Sequence, residues 1–463
     1  MEAIIISVFT LGYLAITLEH SLKIDKLIPA LIMMAIMWAL IAMGMGDLDT
    51  WFDSGLHGMI EGFSFLSGEE KNHILEGSLV HHLGKTAEIL VFLIGAMTIV
   101  EIIDYFDGFS AINRFVRSRS KRKILWLFSG LAFFLSAIID NLTATIVLIS
   151  ILQKLISDRE SRLMYVGMIV IAANAGGAWS PIGDVTTTML WIGNKVSVVH
   201  LIEYLFLPSV VCLAVPAIIA SFMPEFKGHF APLEISAKTA NPHASKMLYL
   251  GLGAIVFVPI FKTVTHLPPY VGMMLSLGIV AAFAEMYSSS RFSLSGLHHN
   301  DQNDGHTHGP VHYSLSKIEL PSILFFLGIL MAVAALESLG ILFEFAIHLQ
   351  DSMPMLGTEL LGTPVSDLVV ILVGVSSAVI DNVPLVAASL GMFSEPIDNP
   401  LWHFVAYAAG TGGSMLVIGS AAGVVAMGME KINFFWYLKK ISWLALLGFL
   451  SGVFVFFLTR SIF

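Results

Sequence analysis

Cysteine is almost missing from this chain: one residue, Cys212, in 463. It lies in an apolar run, which excludes a disulfide framework and a cysteine metal site. Charge is nearly as scarce. Asp, Glu, Lys and Arg make up 13% of the chain and hydrophobic residues 56%, where a soluble domain is roughly 25% charged. So few charges cannot cover the surface of a chain this long in water, and lipid must be its solvent and main partner. There is no basic excess either. The net charge is −10, without a basic stripe or an aromatic platform, which excludes nucleic acid as a partner. No Walker-type glycine loop is present, so transport would not be driven by ATP. No nucleophile–base pair or metal motif suggests an enzyme. Met1-Glu2-Ala3 lacks the basic n-region of a signal peptide, and no small-residue cleavage pattern follows the first apolar run. That run reads as a retained span.

What the chain does have is apolar runs of the length, about 20 residues, that crosses a hydrocarbon core. Ten segments qualify: 4–20, 27–45, 87–105, 163–193, 198–220, 247–262, 268–286, 319–340, 402–428 and 434–459. The polar stretch 46–86 is expected to hold one or two interfacial helices. Two further apolar stretches, 124–153 and 366–393, are each interrupted by Asp-Asn, at Asp140-Asn141 and Asp381-Asn382. Arg114, Arg117, Arg119, Lys121, Arg122 and Lys123 precede the first, and Lys154, Arg159 and Arg162 follow it. Short cytoplasmic loops carry excess Lys and Arg, so both of its ends read as cytoplasmic. Each arm holds about 15 residues, short for a crossing at 1.5 Å per residue. A re-entrant hairpin with its tip near the midplane fits better. The second stretch has acids at its flanks (Asp351, Glu359, Asp367, Glu395, Asp398) and no adjacent Lys or Arg. It reads as a hairpin entering from the opposite face.

The same order of motifs recurs in both halves. FLSAIIDNLTATIVLIS (134–150) and NAGGAWSPIGDVTTTMLW (174–191) match VSSAVIDNVPLVAASL (375–390) and GTGGSMLVIGSAAGVVAMG (410–428). Each hairpin is followed by a span broken at glycines. The predicted fold is an all-α polytopic membrane protein in a 5+5 inverted repeat. Residues 1–221 form one repeat, 222–246 a cytoplasmic linker and 247–463 the other, with a loop at 287–316 and both termini extracytoplasmic. Inverted repeats with discontinuous helices meeting at the midplane are how secondary transporters build a site.

Mid-membrane carboxylates cost roughly 2.5–3.5 kcal/mol on insertion scales and rarely persist without a partner or task. Asp140 and Asp381 sit at the hairpin tips and Asp184 just past the first helix break. Asn141, Thr143, Asn174, Thr186, Thr187, Ser377, Asn382 and Ser420 share these segments. Such an oxygen-rich, thiol-free set suits a hard cation, Na⁺ or Li⁺. The alternative is that these groups only cap broken helices and close turns. Burial disfavours the charged form of a carboxylate, so a group that takes either a proton or Na⁺ couples the two by competition. On this reading Asp140 is the primary exchange site, shared with Asp184 or Asp381. Glu101 and Glu337 end the apolar runs before each hairpin and are secondary candidates, as proton path, hairpin anchor or interfacial groups. Asp104 and Glu285 read as interfacial. His298, His299, His306, His308 and His312 crowd one loop, read as a solvated linker, with pH sensing or metal binding as alternatives.

The paired Asp-Asn tips and the stretch Asn174–Thr188 resemble the NhaD-type sodium/proton antiporters of the ion transporter superfamily, and the resemblance extends from Leu18-Glu19-His20 to the final span. It implies that Asp140, Asn141, Asn174, Asp184, Thr186, Thr187, Ser377, Asp381 and Asn382 matter for transport. It implies Na⁺ or Li⁺ exchange for H⁺ across a bacterial inner membrane, driven by the proton gradient, with no cofactor. The histidine-rich loop is not expected of that family. Other members of the superfamily are sodium-coupled dicarboxylate carriers, for which Ser-Asn-Thr tips would be expected, and arsenite efflux proteins. A homodimer is compatible with this architecture, and no residue points to one.

Overall fold

The computed structural model describes all residues except 54–57, 61, 111–118, 157, 231–240, 293–308, 353–364, 380 and 461–463. Helices account for most of it, as they must where lipid offers no partner to backbone N–H and C=O groups. Among the described residues eight helices are long and apolar enough to cross a membrane, including Leu27–Asp47, Val198–Phe222, Ala244–Thr265, Leu320–Ser338 and Ser442–Thr459. The first apolar run forms Glu2–Thr17, somewhat shorter.

The stretch 46–86 departs from expectation. Its second part is no separate interfacial helix: one helix runs unbroken from Gly68 to Tyr105, 38 residues. Hydropathy marks only its apolar end. Its start is fixed by a capping box, with Ser67 accepting from the Glu70 N–H and Glu70 reaching back to the Ser67 N–H, and Glu69 and Glu70 suit the positive helix end. At about 1.5 Å per residue such a helix is much longer than the hydrocarbon core, so it projects beyond it. Lys71, buried on this helix, donates to the carbonyls of Gly46 and Leu48. A two-stranded ribbon, Phe52–Asp53 with Gly58–Met59, lies in the loop it covers.

Hairpin 1 consists of Lys121–Ile139 and Asn141–Leu155. Its first arm has 19 residues and is one of the eight helices long and apolar enough to cross. This departs from the expectation of a short arm, because its helix includes the basic residues 121–123. Hairpin 2 consists of Asp367–Ser376 and Asn382–Met392. Broken helix 1 is Arg159–Gly177 followed by Val185–Ile192, and broken helix 2 is Pro400–Gly412 followed by Ala421–Glu430.

Equivalent contacts recur in the two halves. The Ser136 hydroxyl donates to the Ala173 carbonyl at 2.6 Å, and the Ser377 hydroxyl to that of Ala409 at 2.7 Å. Gly176 and Gly412 lie so close to the hairpin backbone that a Cβ would collide with the Phe133 and Gly374 carbonyls respectively. Glycine is therefore required at both crossings. Part-buried ion pairs pin the outer ends. Arg162 holds Glu430 through two hydrogen bonds of 2.7 and 3.0 Å, and Arg460 holds Asp367 at 2.6 and 2.5 Å. Hairpin 2, which has no basic neighbour in sequence, thus gains one in space.

Candidate functional site

The two helix breaks bring their polar residues to one buried centre. Asp184 caps Val185–Ile192, its Oδ1 accepting from the Thr186 N–H at 3.3 Å. Its Oδ2 accepts from the amide of Asn141 at 3.2 Å and from that of Asn382 at 3.0 Å. One carboxylate is therefore held by the asparagines of both hairpin tips. Asn141 also donates to Asn174 Oδ1 at 3.0 Å, and Asn174 donates to the Ser420 hydroxyl at 2.9 Å. Ser420 caps the second half of broken helix 2, in the place Asp184 has in broken helix 1. Asp184, Asn141, Asn174, Asn382 and Ser420 are all buried. Buried polar groups persist when bonded in this way.

Asp140 lies beside this network. A cavity of about 20 Å³ is lined by Asp140 and Asp184 together, with Ile138, Ile182, Thr188 and Met273 among its walls. That is room for a single water-sized species. Asp140 adopts φ +81°, a region non-glycine residues seldom enter. Its carboxylate secures the turn: Oδ1 accepts from the Thr143 N–H at 2.7 Å and Oδ2 from the Thr143 hydroxyl at 3.0 Å.

Asp381 is placed differently from what its symmetry with Asp140 suggests. Among the described residues its neighbour Asn382, and not Asp381 itself, bonds Asp184, and Asp381 does not line the small cavity. The Lys26 ammonium donates to Asp381 Oδ2 at 3.0 Å and lies 4.4 Å from the centroid of the Phe325 ring. This contact is not visible in the sequence, where nothing local gives a lysine at the start of an apolar run a partner. Ser377 serves the hairpin contact with Ala409 and not the centre. The Thr187 hydroxyl donates to backbone carbonyls of the break itself, among them that of Ser180 at 2.7 Å. The Thr186 hydroxyl is buried beside Asp184.

Glu101 and Glu337 line separate vestibules. Glu101 shares one of about 380 Å³ with Asp104, Asp107, Thr143, Lys154 and Glu319. Glu337 shares one of about 300 Å³ with His81, His82, Lys85 and Lys195. Thr143 ties the first of these to Asp140. A third cleft, about 110 Å³, runs between Glu19, Asp25, Lys26, Leu142 and Glu319. Of the histidines in the loop near 300, His312 falls in the helix Pro310–Lys317, and His298, His299, His306 and His308 lie outside the described residues.

Paired hairpins, two broken helices and a membrane-buried carboxylate define a polytopic transporter, not an enzyme. A family model described as citrate transporter matches residues 13–402. Sodium/proton antiporter 1 of Arabidopsis thaliana is 41% identical over 450 residues, 96% of this chain and 70% of that one. Proteins named Na(+)/H(+) antiporter NhaD are similar too. That of Alkalimonas amylolytica is 30% identical over 94% of this chain and 86% of its own, and that of Vibrio parahaemolyticus 32% over 83% and 93%. The chain belongs to the family that this citrate-transporter model describes and to its NhaD-type sodium/proton antiporters.

Proposed function

We propose that this protein exchanges Na⁺ or Li⁺ for H⁺ by letting the ions compete for the Asp140–Asp184 pair. The observation that carries the reading is the small cavity bounded by both carboxylates, with Asp184 held by asparagines from both hairpins. A proton on this pair neutralises one carboxylate and weakens the cation site. A bound cation favours the charged carboxylates and expels the proton. Carboxylate, amide and hydroxyl oxygens suit a hard monovalent cation. The antiporter relatives support the same exchange. The vestibule with Glu101, Asp104, Asp107 and Glu319 outnumbers its lysines Lys154 and Lys317 in charge, which concentrates cations near Thr143. Thr143, Asn141, Asn174, Thr186 and Asn382 then orient the pair, and Thr187 and Ser377 hold the backbone around it. Glu101 and Glu337 serve as entry groups in the two vestibules.

The hairpins are proposed to be re-entrant from opposite faces. Arg119, Lys121 and Lys154 would lie on the cytoplasmic side of a bacterial inner membrane, and both termini outside. A homodimer is compatible with this reading. The family model's description also raises an anionic cargo. A site walled by two aspartates repels citrate, and a cavity of about 20 Å³ is too small for it.

The test is reconstitution in vesicles with an acid-inside pH gradient followed by a pH-sensitive dye. Na⁺ or Li⁺ added outside should collapse the gradient, and Asp140→Asn and Asp184→Asn should abolish the response. Uptake of labelled citrate or succinate with no response to either cation would replace the antiporter with a carboxylate carrier.

A further inference from the structure

The tips of the two hairpins are related by sequence and by contacts, yet their aspartates are satisfied by different chemistry. Asp140 takes both an N–H and a hydroxyl from Thr143, three residues on. The residue three positions after Asp381 is Pro384, which has neither donor. Only the Val383 N–H, at 3.5 Å, approaches Asp381 from its own helix. The missing donors are replaced from 355 residues away by the Lys26 ammonium. Lys26 stands at the N-terminus of Leu27–Gly44, which packs on Leu320–Ser338 in the second half. The helix in the matching place of the other half, packed on Gly68–Tyr105, opens on Pro269, and the nearest lysine in sequence, Lys262, donates instead to the Trp191 carbonyl. The Asp381 side chain is 13% exposed and that of Lys26 20%, so neither charge is freely compensated by water.

We propose that Lys26 is a tethered cation that permanently occupies the carboxylate of hairpin 2, leaving the Asp140–Asp184 pair as the one exchangeable cation site. Lys26 is a positioning residue on this view. It neutralises Asp381, fixes the tip, and so aims the neighbouring Asn382 amide at Asp184. An inverted repeat offers two equivalent tip carboxylates, and without Lys26 both would attract a transported ion. This inference rests on the Na⁺/H⁺ exchange proposed above and adds that one cation moves per cycle.

The experiment compares Lys26→Gln, Asp381→Asn, the double variant and Lys26→Arg in proteoliposomes at alkaline pH, with Na⁺ varied. For the unaltered protein Na⁺ activation is hyperbolic, with a Hill coefficient of about 1 as for a single site. Each single neutral variant leaves an uncompensated buried charge and loses transport by roughly tenfold or more, since each 1.4 kcal/mol is tenfold. The double variant returns to within about threefold of the unaltered protein, because nothing in the exchange site has been removed. Lys26→Arg keeps the charge and most of the activity. Lys26→Gln recovers at high Na⁺ with a sigmoidal dependence, as the free ion takes the place of the ammonium. A merely structural lysine would not produce that recovery. A double variant no better than Asp381→Asn, or sigmoidal activation in the unaltered protein, overturns the proposal. Thermal melting of the same set is read without transport. The double variant should melt above either single one, and melting below both overturns the pairing. Absence of Na⁺/H⁺ exchange in the unaltered protein would instead sink the functional reading, and the melting series would still decide the pairing.

Discussion

Hairpin 1 and hairpin 2 share the tip pattern Ile-Asp-Asn followed by an apolar residue, Leu142 or Val383, and end in different electrostatic states. In the first, Asp140 is held by Thr143 in a left-handed backbone conformation and faces a small cavity with Asp184. In the second, Asp381 has ordinary extended geometry, φ −49° and ψ 139°, and is paired with a lysine. Beyond the tips, broken helix 1 supplies Asn174 and Asp184, where broken helix 2 has Gly410 and Ser420. The frame is alike in the two halves, and the differences between them fall at the tips and the breaks. If the proposed assignment holds, local changes, Thr143 against Pro384 and Asp184 against Ser420, are enough to turn two potential sites into one.

The comparison is broken most severely at Asp184. Asp184→Asn should reduce cation-driven proton movement to background, whereas Ser420→Ala, at the equivalent cap, loses a neutral hydrogen bond of about 0.5–1.5 kcal/mol and a few-fold in rate. Equal damage from both would show that the two halves share the chemistry. Next in size, Asn141→Ala and Asn382→Ala each remove a bond to a charged group worth about 1.5–3 kcal/mol. Apparent Na⁺ affinity should fall by roughly 10–100-fold in both, although the residues lie on opposite hairpins. The tips can also be exchanged. Pro384→Thr gives Asp381 the donors that Asp140 has, and should lessen the damage caused by Lys26→Gln, measured as transport at low Na⁺.

The smallest effect is expected at the outer seam between the halves. Asp398, in the loop before broken helix 2, accepts from the Ser197 N–H at 2.6 Å and lies near His200 and His403. Burial would raise its pKa, but the His403 ring at 3.5 Å and the Ser197 N–H prevail and hold it down to about 2. A depressed carboxylate stabilises the fold above its unfolded pKa of about 3.9 and loses that contribution as pH falls through the folded value. Asp398→Asn should therefore lower the melting temperature by a few degrees near neutral pH. The gap from the unaltered protein should close between about pH 4 and pH 2. A gap that is constant with pH would mean that the carboxylate charge is not what holds the seam.

Much of this was legible in the sequence because it is local. Asp-Asn inside an apolar run, and glycines at matching distances after it, announce both hairpins and both breaks. The oxygen-rich set around Asn174 and Asp184 follows from the same stretch. What escaped depends on distance in space. The approach of Lys26 to Asp381 spans 355 residues, and hydropathy gives a lysine at a helix start no partner. In sequence Asp381 has the same standing as Asp140, and the local difference between them shows only when Pro384 is set against Thr143. The helix Gly68–Tyr105 was hidden for another reason. Its first turns are polar, and a pattern tuned to lipid registers only the part that lipid covers.

The glycine crossings have a mechanical consequence. Where backbone meets backbone with no side chain between, at Gly176 with Phe133 and Gly412 with Gly374, the contact has little compliance and cannot slide without collision. Each hairpin and its broken helix therefore form a rigid couple, and any displacement during turnover falls on the side-chain-lined joints around them. Paired spin labels within one couple should keep a constant separation between proton-loaded and sodium-loaded states. Labels joining a couple to the long helix Gly68–Tyr105 should report the stroke.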